Sequence, residues 1–221
     1  DKKPDLKDKK NIGARIAGIY GFSIFGTNHT YLLNNNNQID YRSLNIFLDK
    51  FSDKSFLIFG FTSLVYKYLF ETVNLKKINK NFANSILIHG GGWKKMLNKK
   101  VDNSIFRKKL LQSLKIKNIY NYYGLVEQTG SIFFECPKCN CFTTTKYSDI
   151  LIRDKNYKIL NNSRGIIQLI SLLPTSYPGH SILTEDEGKL IHNNCKCKKN
   201  GKRFIVYGRI EKSEVRGCSD T

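Results

Sequence analysis

The sequence has no run approaching the ~18 consecutive apolar residues that a bilayer-spanning helix needs, which excludes a transmembrane helix. It opens on Asp1, Lys2 and Lys3, with Asp5, Lys7, Asp8, Lys9 and Lys10 close behind, and no apolar stretch of signal-peptide type follows. The expectation is a cytoplasmic protein whose numbering begins inside a longer chain. There is no internal repeat, and no cysteine precedes Cys136. Acidic residues are scarce: 18 against 37 lysines and arginines, a net charge of +19 over 221 residues. The balance of 40% hydrophobic to 25% charged residues argues against disorder, and this length buries a core without disulfide or metal staples.

The positive charge suggests an anionic partner, whether nucleic acid, a membrane surface or a phosphate-bearing small molecule. The cations are mostly lysines spread along the chain among many asparagines and isoleucines. That is the mixture an AT-rich genome writes on solvated surfaces. Nucleic-acid sheets interleave exposed aromatics with Arg and Lys, whereas here the aromatics sit in apolar runs, and no zinc-finger spacing with His ligands occurs. A basic zinc-binding nucleic-acid module is therefore the lesser alternative.

Residues 1–12 are charged and aperiodic, as in a linker or frayed end. From Ile12 to Phe25, apolar runs broken by Gly13, Gly18, Gly21 and Gly26 predict strands and tight turns. Ser43 reads as the N-cap of a helix that carries Leu44, Phe47, Leu48 and Phe51. Phe56–Phe61 reads as a strand buried on both faces, and Leu64, Val65, Tyr68, Leu69 and Val73 form a helical stripe. Ile86–Ile88 is a short strand. Asp102 can cap a helix carrying Ile105, Phe106, Leu110 and Leu114, and Ile119–Tyr122 returns as a strand. This alternation predicts an α/β fold with a parallel sheet and crossover helices over 13–130. Short strands at 132–134, 149–153, 166–170 and 204–207 predict a β-rich subdomain over 131–207, followed by a tail, 208–221.

Cys136, Cys139 and Cys141 form C-P-K-C-N-C, and Cys195 and Cys197 form C-K-C. Two knuckles of closely spaced thiols in polar turns can meet as a tetrahedral thiolate site for structural Zn2+. Cys136, Cys139, Cys195 and Cys197 are the preferred four, with Cys141 as a replacement for Cys139. Disulfides and free thiols are the competing readings. Cys218 stands apart near the end, where the nearby Arg216 could favour its thiolate, an ordinary tail cysteine being the competing reading.

Ile86-Leu-Ile-His-Gly-Gly-Gly-Trp-Lys-Lys95 is a strand running into a glycine triplet, where backbone can approach a flat ligand closely. It lacks the G-K-[ST] ending of a Walker loop. In Asn121-Tyr-Tyr-Gly-Leu-Val-Glu127 an aromatic at a strand end can stack on a base, and a following carboxylate can hold Mg2+ beside phosphates.

Together these segments resemble the adenylate-forming, acyl-activating enzymes. The family signature Asn-x-Tyr-Gly-x-Thr-Glu is matched at Asn121, Tyr123, Gly124 and Glu127, with Val126 in place of Thr. Gly90, Gly91 and Gly92 resemble its adenine segment, Thr184-Glu-Asp186 its Thr-Gly-Asp motif, and Gly208-Arg-Ile-Glu211 its hinge motif. Within the superfamily the resemblance is to the acyl-protein synthetase branch, the LuxE-like proteins related to phenylacetate–CoA ligase. Nothing before Phe56 matches the family's phosphate loop, and the late catalytic Lys is also without a match. The expectation is the latter part of such a synthetase.

The resemblance implies ATP-dependent activation of a carboxylic or fatty acid as an acyl-adenylate, then transfer to a protein thiol, with an acyl–CoA ligase of phenylacetate type as the alternative. It implies that Tyr123 stacks on adenine in a pocket lined by Gly90–Gly92, with Asn121 and Gly124 in the same signature. Glu127 would help hold Mg2+, Asp186 the ribose hydroxyls, and Arg209 the ribose and phosphate. Cys218 would accept the acyl group and pass it to a partner such as an acyl reductase.

Overall fold

A computed structural model describes residues 1–4, 13–92, 103–192, 195–197 and 199–210. The chain divides into two compact units, one built on Asp1–Tyr120 and the other on Asn121–Arg216. No helix among the described residues is long and apolar enough to cross a membrane.

In the first unit, β1 (Phe56–Phe61) and β2 (Ser85–Gly90) pair in parallel, with Phe56 opposite Ser85 and Phe61 opposite Gly90. The crossover between them starts as a short helix, α3 (Thr62–Val65), and widens into a π-helical turn over Tyr66–Glu71. It buries Val65, Tyr68 and Leu69 of the predicted stripe, and Tyr66 besides, while Leu64 and Val73 are half-buried. Helix α4 (Asn103–Leu114) follows β2 and buries Phe106, Leu110 and Leu114, while Ile105 faces solvent. Asp102, its predicted cap, lies outside the described residues. Of these, Val65, Tyr66, Leu69, Phe106, Leu110 and Leu114 join Leu44, Leu48, Phe82, Leu87, Ile116 and Ile119 in one core.

Three readings of this unit need correction. The stretch predicted as strands from Ile12 to Phe25 is a helix, α1 (Ala14–Ser23). Its Gly18 is a packing glycine: a Cβ there would stand 3.1 Å from the Phe61 ring, and one turn on Phe22 stacks on Phe59 at 4.1 Å. Small residues that bring a helix close to a strand look the same in sequence as turn residues. The cap of α2 (Tyr41–Phe51) is Asp40, not Ser43. The Asp40 carboxylate accepts the Ser43 backbone N–H at 3.0 Å and its hydroxyl at 2.7 Å, so Ser43 is the residue being capped. Strand β1 is buried only at Phe61 and half-buried elsewhere. Among the described residues it has β2 on one side and no strand on the other.

Strand β3 (Asn118–Tyr123) carries the chain from the first unit into the second. There its end pairs antiparallel with β4 (Phe133–Phe134), Tyr123 opposite Phe133. The rest of the second unit is a six-stranded sheet formed by β5 (Phe142–Thr143), β6 (Ser148–Arg153), β7 (Ile159–Leu160), β8 (Gly165–Ser171), β9 (Ser181–Ile191) and β10 (Arg203–Arg209). Its order is β5-β10-β9-β8-β6-β7, and all five neighbouring pairs are antiparallel. The β-rich expectation holds for this region. The longest strand, β9, was not foreseen, because Thr-Glu-Asp-Glu-Gly breaks its apolar alternation. Gly188 lets it stay in the sheet: a Cβ there would come within 2.6 Å of the Ile205 carbonyl and 2.7 Å of Ile167. Phe133, Phe142, Ile150, Ile152, Ile167, Leu169, Leu190 and Phe204 form the second core.

Candidate functional site

Four sequence-predicted residues meet in the second unit. The Tyr123 hydroxyl donates to Asp186 Oδ2 at 2.8 Å, and Asp186 lies directly across the β9–β10 pair from Arg209. The Tyr123 ring packs against Phe133, Phe142 and Phe204 at centroid distances of 6.3, 5.9 and 6.1 Å, so its position is set by the core beneath it. Burial, then the Asp186 charge, holds the Tyr123 hydroxyl well above its ordinary pKa, which keeps it a proton donor. Burial also pushes the Asp186 carboxyl up, opposed by the Tyr123 hydrogen bond and the Arg209 charge. Glu127 is near enough to push it the same way as burial.

The backbone around this cluster is held by side chains that sequence reasoning passed over. Thr184 Oγ1 donates to the Ile167 carbonyl at 2.9 Å and accepts the Asp186 N–H at 3.0 Å, fixing the turn of strand that presents the carboxylate. Gln128, fully buried, donates through Nε2 to the Gly179 carbonyl at 2.9 Å. Thr129 N–H donates to the Tyr177 hydroxyl at 2.8 Å. The segment at 177–179 is thereby tied to the turn carrying the exposed Glu127. Gly124 is required where it stands, since a Cβ would sit 3.0 Å from the Ser131 carbonyl oxygen. Asn121 donates to the buried Glu135 carboxylate at 2.7 Å. Asn121, Gly124 and Thr184 stand inside quoted motifs, whereas Gln128, Thr129, Tyr177 and Glu135 carried no sequence signal. Arg209 also meets Glu185 at 3.2 Å in an exposed pair, and Gly208 before it takes φ +126°, a conformation that favours glycine.

Gly90, Gly91 and Gly92 belong to the first unit. Gly90 ends β2 and is buried, while Gly91 and Gly92 are exposed. Gly91 has φ +78°, and a Cβ would stand 3.4 Å from the Phe61 ring. The Thr62 hydroxyl donates to the Gly90 carbonyl at 3.1 Å. Its one hydrogen being used, the 3.0 Å contact with His89 Nδ1 is a donation from the imidazole. Burial and the Arg107 charge lower the His89 pKa to about 3, so it is neutral.

The cysteine cluster is at one end of the second unit's sheet. Cys136, Cys195 and Cys197 place their sulfurs within 4.8 Å of one another, with Cys136 Sγ 3.9 Å from Cys195 Sγ. Cys139 interacts with both Cys136 and Cys195. Cys141 instead turns its thiol to the Cys139 carbonyl at 3.2 Å. Burial pushes the Cys136 thiol up, but the N–H groups of Lys138 and Cys139 aimed at its sulfur, with the neighbouring thiols, outweigh this and bring it down to about 7. Cys218 and Glu211 lie outside the described residues.

The family described as acyl-protein synthetase, LuxE, matches residues 1–221. No curated protein matches the chain. An open conformation of 2-hydroxyisobutyryl-CoA ligase in complex with 2-HIB-AMP and CoA is similar at TM-score 0.59 and 15% identity, covering 78% of this chain and 37% of that one. The amide bond synthetase McbA from Marinactinospora thermotolerans is similar at TM-score 0.52 and 13% identity, covering 78% and 35%. ATP-bound MatB from Rhodopseudomonas palustris is similar at 0.50 and 11%, covering 78% and 34%. At these identities the likeness is one of fold, and the chain spans about a third of the length of each structure.

Proposed function

The chain belongs to the acyl-protein synthetase (LuxE) family, and from that membership we propose that it serves in an enzyme that activates a fatty acid as its acyl-adenylate and transfers the acyl group to a protein thiol. The observation that carries this reading is the Tyr123–Asp186 hydrogen bond opposite Arg209. It brings together, from β3 and the β9–β10 pair, the residues expected to face the base, the ribose and the phosphate of ATP. Tyr123 would present its ring to adenine. Asp186, an acceptor when ionised, suits ribose hydroxyls. Arg209 supplies fixed positive charge for a phosphoryl oxygen.

In the first step a carboxylate oxygen of the fatty acid attacks the α-phosphorus of ATP and the bond to pyrophosphate breaks. Mg2+ would neutralise phosphate charge, and the exposed Glu127 carboxylate is a hard oxygen donor of the kind that ion prefers. In the second step the Cys218 thiolate attacks the acyl carbon, a thioester forms and AMP leaves. The thioester then serves as acyl donor to a partner enzyme such as an acyl reductase. Zinc at the cysteine cluster completes the cofactor set, since soft thiolates that no His or carboxylate joins as a ligand among the described residues suit a closed structural site.

The test uses the full-length enzyme with ATP, Mg2+ and a radiolabelled fatty acid. Cys218→Ser leaves acid-dependent pyrophosphate release intact and abolishes hydroxylamine-sensitive labelling of the protein. Labelling that persists at the wild-type level moves the acceptor to another residue or to coenzyme A. Pyrophosphate release that ignores the acid removes the adenylation reading itself.

A further inference from the structure

The cysteine cluster stands at the meeting point of two chain segments that lead to the proposed nucleotide site. One segment runs from Tyr123 through the β3–β4 pair to Cys136. The other runs from Cys195 and Cys197 into β10, which pairs with β9 and ends with Arg209 opposite Asp186. We propose that one zinc ion, held by Cys136, Cys139, Cys195 and Cys197 but not Cys141, joins these segments and so keeps Tyr123 in contact with Asp186. This positioning role rests on the nucleotide-site reading above, whereas the metal site itself rests on the thiols alone.

Three sulfurs, those of Cys136, Cys195 and Cys197, lie within 4.8 Å of one another, and Cys139 is the thiol taken as the fourth ligand. Zinc–sulfur bonds of ~2.3 Å in a tetrahedron place sulfurs roughly 3.8 Å apart. The Cys136–Cys195 separation is 3.9 Å, far beyond the ~2.05 Å of a disulfide. Backbone N–H groups of Lys138 and Cys139 point at Cys136 Sγ, that of Lys199 at Cys197, and that of Cys197 at Cys195 Sγ, 3.4 Å away. Amides aimed at sulfur stabilise thiolates and orient them as ligands. Cys139 shares this focus through its contacts with Cys136 and Cys195, and Cys141 points at a carbonyl instead. Four thiolates around Zn2+ carry a net charge of −2. No acidic residue lies between Glu135 and Asp149 or between Glu187 and Glu211, and Lys138, Lys196 and Lys199 are exposed within those stretches. The basic turns therefore offset the charge of the filled site.

Zinc would add a direct link between two turns that are otherwise connected through β5, by the Glu135–Phe142 bridge and the β5–β10 pair. The two turns it would join are 59 residues apart in sequence at Cys136 and Cys195. Metal-binding free energy would then add to the stability of the folded arrangement.

The experiment measures metal content, amide exchange and ATP binding on the whole chain purified without chelator. We expect about one zinc per chain, unchanged by Cys141→Ser. Cys139→Ser should cut zinc retention by more than the ~10–100-fold that losing an outer hydrogen-bond partner costs. Should Cys139→Ser fail to fold, releasing zinc from the wild-type protein with a mercurial reads the same site. Release should speed amide exchange in β9 and β10 at least tenfold, and weaken ATP about tenfold in wild type but not further in Tyr123→Phe. That non-additivity is what a general loss of stability would not produce. Metal-free folded protein, iron in place of zinc, or zinc retained by Cys139→Ser and lost by Cys141→Ser overturns the site. Zinc release that leaves β9–β10 exchange unchanged, or that costs Tyr123→Phe as much as wild type, overturns the positioning role. If ATP fails to bind even the zinc-loaded chain, the nucleotide reading falls, and metal content and exchange still judge the zinc site.

Discussion

The first unit buries a base and the second buries an acid. His89 is enclosed between Thr62 and the Phe106 ring, and burial with the Arg107 charge keeps it neutral. Asp186 sits part-buried under the Tyr123 hydroxyl, with its carboxyl pushed up by the same loss of water. One desolvation cost thus acts in opposite directions on the two charge types. The architecture differs in parallel with this. The first unit's strands β1 and β2 are parallel and helix-connected, whereas the second unit's six-stranded sheet is antiparallel. The parallel unit offers a backbone turn at Gly90–Gly92, while the antiparallel one brings distant side chains opposite each other across neighbouring strands. Loop backbone suits close approach to a flat ligand, and paired strands suit placing charges at fixed spacing.

The largest expected effect tests whether the second core is what holds its site. Phe204 is fully buried against Tyr123, Phe133 and Phe142. Phe204→Ala should cost ~3–5 kcal/mol in chemical denaturation, with exchange protection lost first in β9 and β10. Equal early loss in β1 and β2 would break the comparison.

The next effect is the opposed pH response. The folded His89 pKa of about 3 is below its ordinary 6.5. The unfolded chain therefore takes up the proton first as pH falls, and stability drops between those values at ~1.4 kcal/mol per pH unit. His89→Gln should flatten that slope in denaturation curves recorded across the window. Asp186 behaves inversely. Its raised pKa means that the folded state holds the proton longer, so this group's ionisation erodes stability as pH rises out of the carboxylate range. Asp186→Asn should raise the melting temperature near neutral pH and lose that advantage in acid. An advantage that grows in acid would sink the assignment of a buried acid.

The smallest effect is local to the first unit. Asp40→Ala removes two hydrogen bonds at the start of α2 and should cost about 1 kcal/mol. The loss should be larger at neutral pH than in acid, because the Ser43 N–H and hydroxyl bonds hold the Asp40 carboxyl below its ordinary pKa. An Asp40→Ala protein with unchanged stability and Ser43→Ala with a larger loss would restore Ser43 as the cap.

Much of the first unit was legible because helical stripes and apolar strands report burial through short spacings. Phe106, Leu110 and Leu114 were named from period alone and all are buried. Gly18 was misread because a glycine that admits a neighbouring ring and a glycine that turns the chain leave the same letter. β9 was missed because its polar run Thr184–Glu187 serves the site rather than the core, so local pattern and final structure disagree there. Gln128 gave no signal, since a buried amide is recognised only by the carbonyl it meets, here that of Gly179.

The residues by themselves determined the strand–helix alternation from Phe56 to Tyr122, the close spacing within each cysteine knuckle, and the Tyr123-Gly124 turn at a strand end. Each depends on neighbours a few positions apart, where periodicity and stereochemistry act directly. Only the tertiary structure decided that Tyr123 meets Asp186, 63 residues away, that Cys195 rather than Cys141 faces Cys136, and that Gly188 is where a long polar strand fits between Ile167 and Ile205. Contacts at such separations are set by how β3, β9 and β10 stack into register, and register follows from the whole buried face rather than from the residues that finally touch.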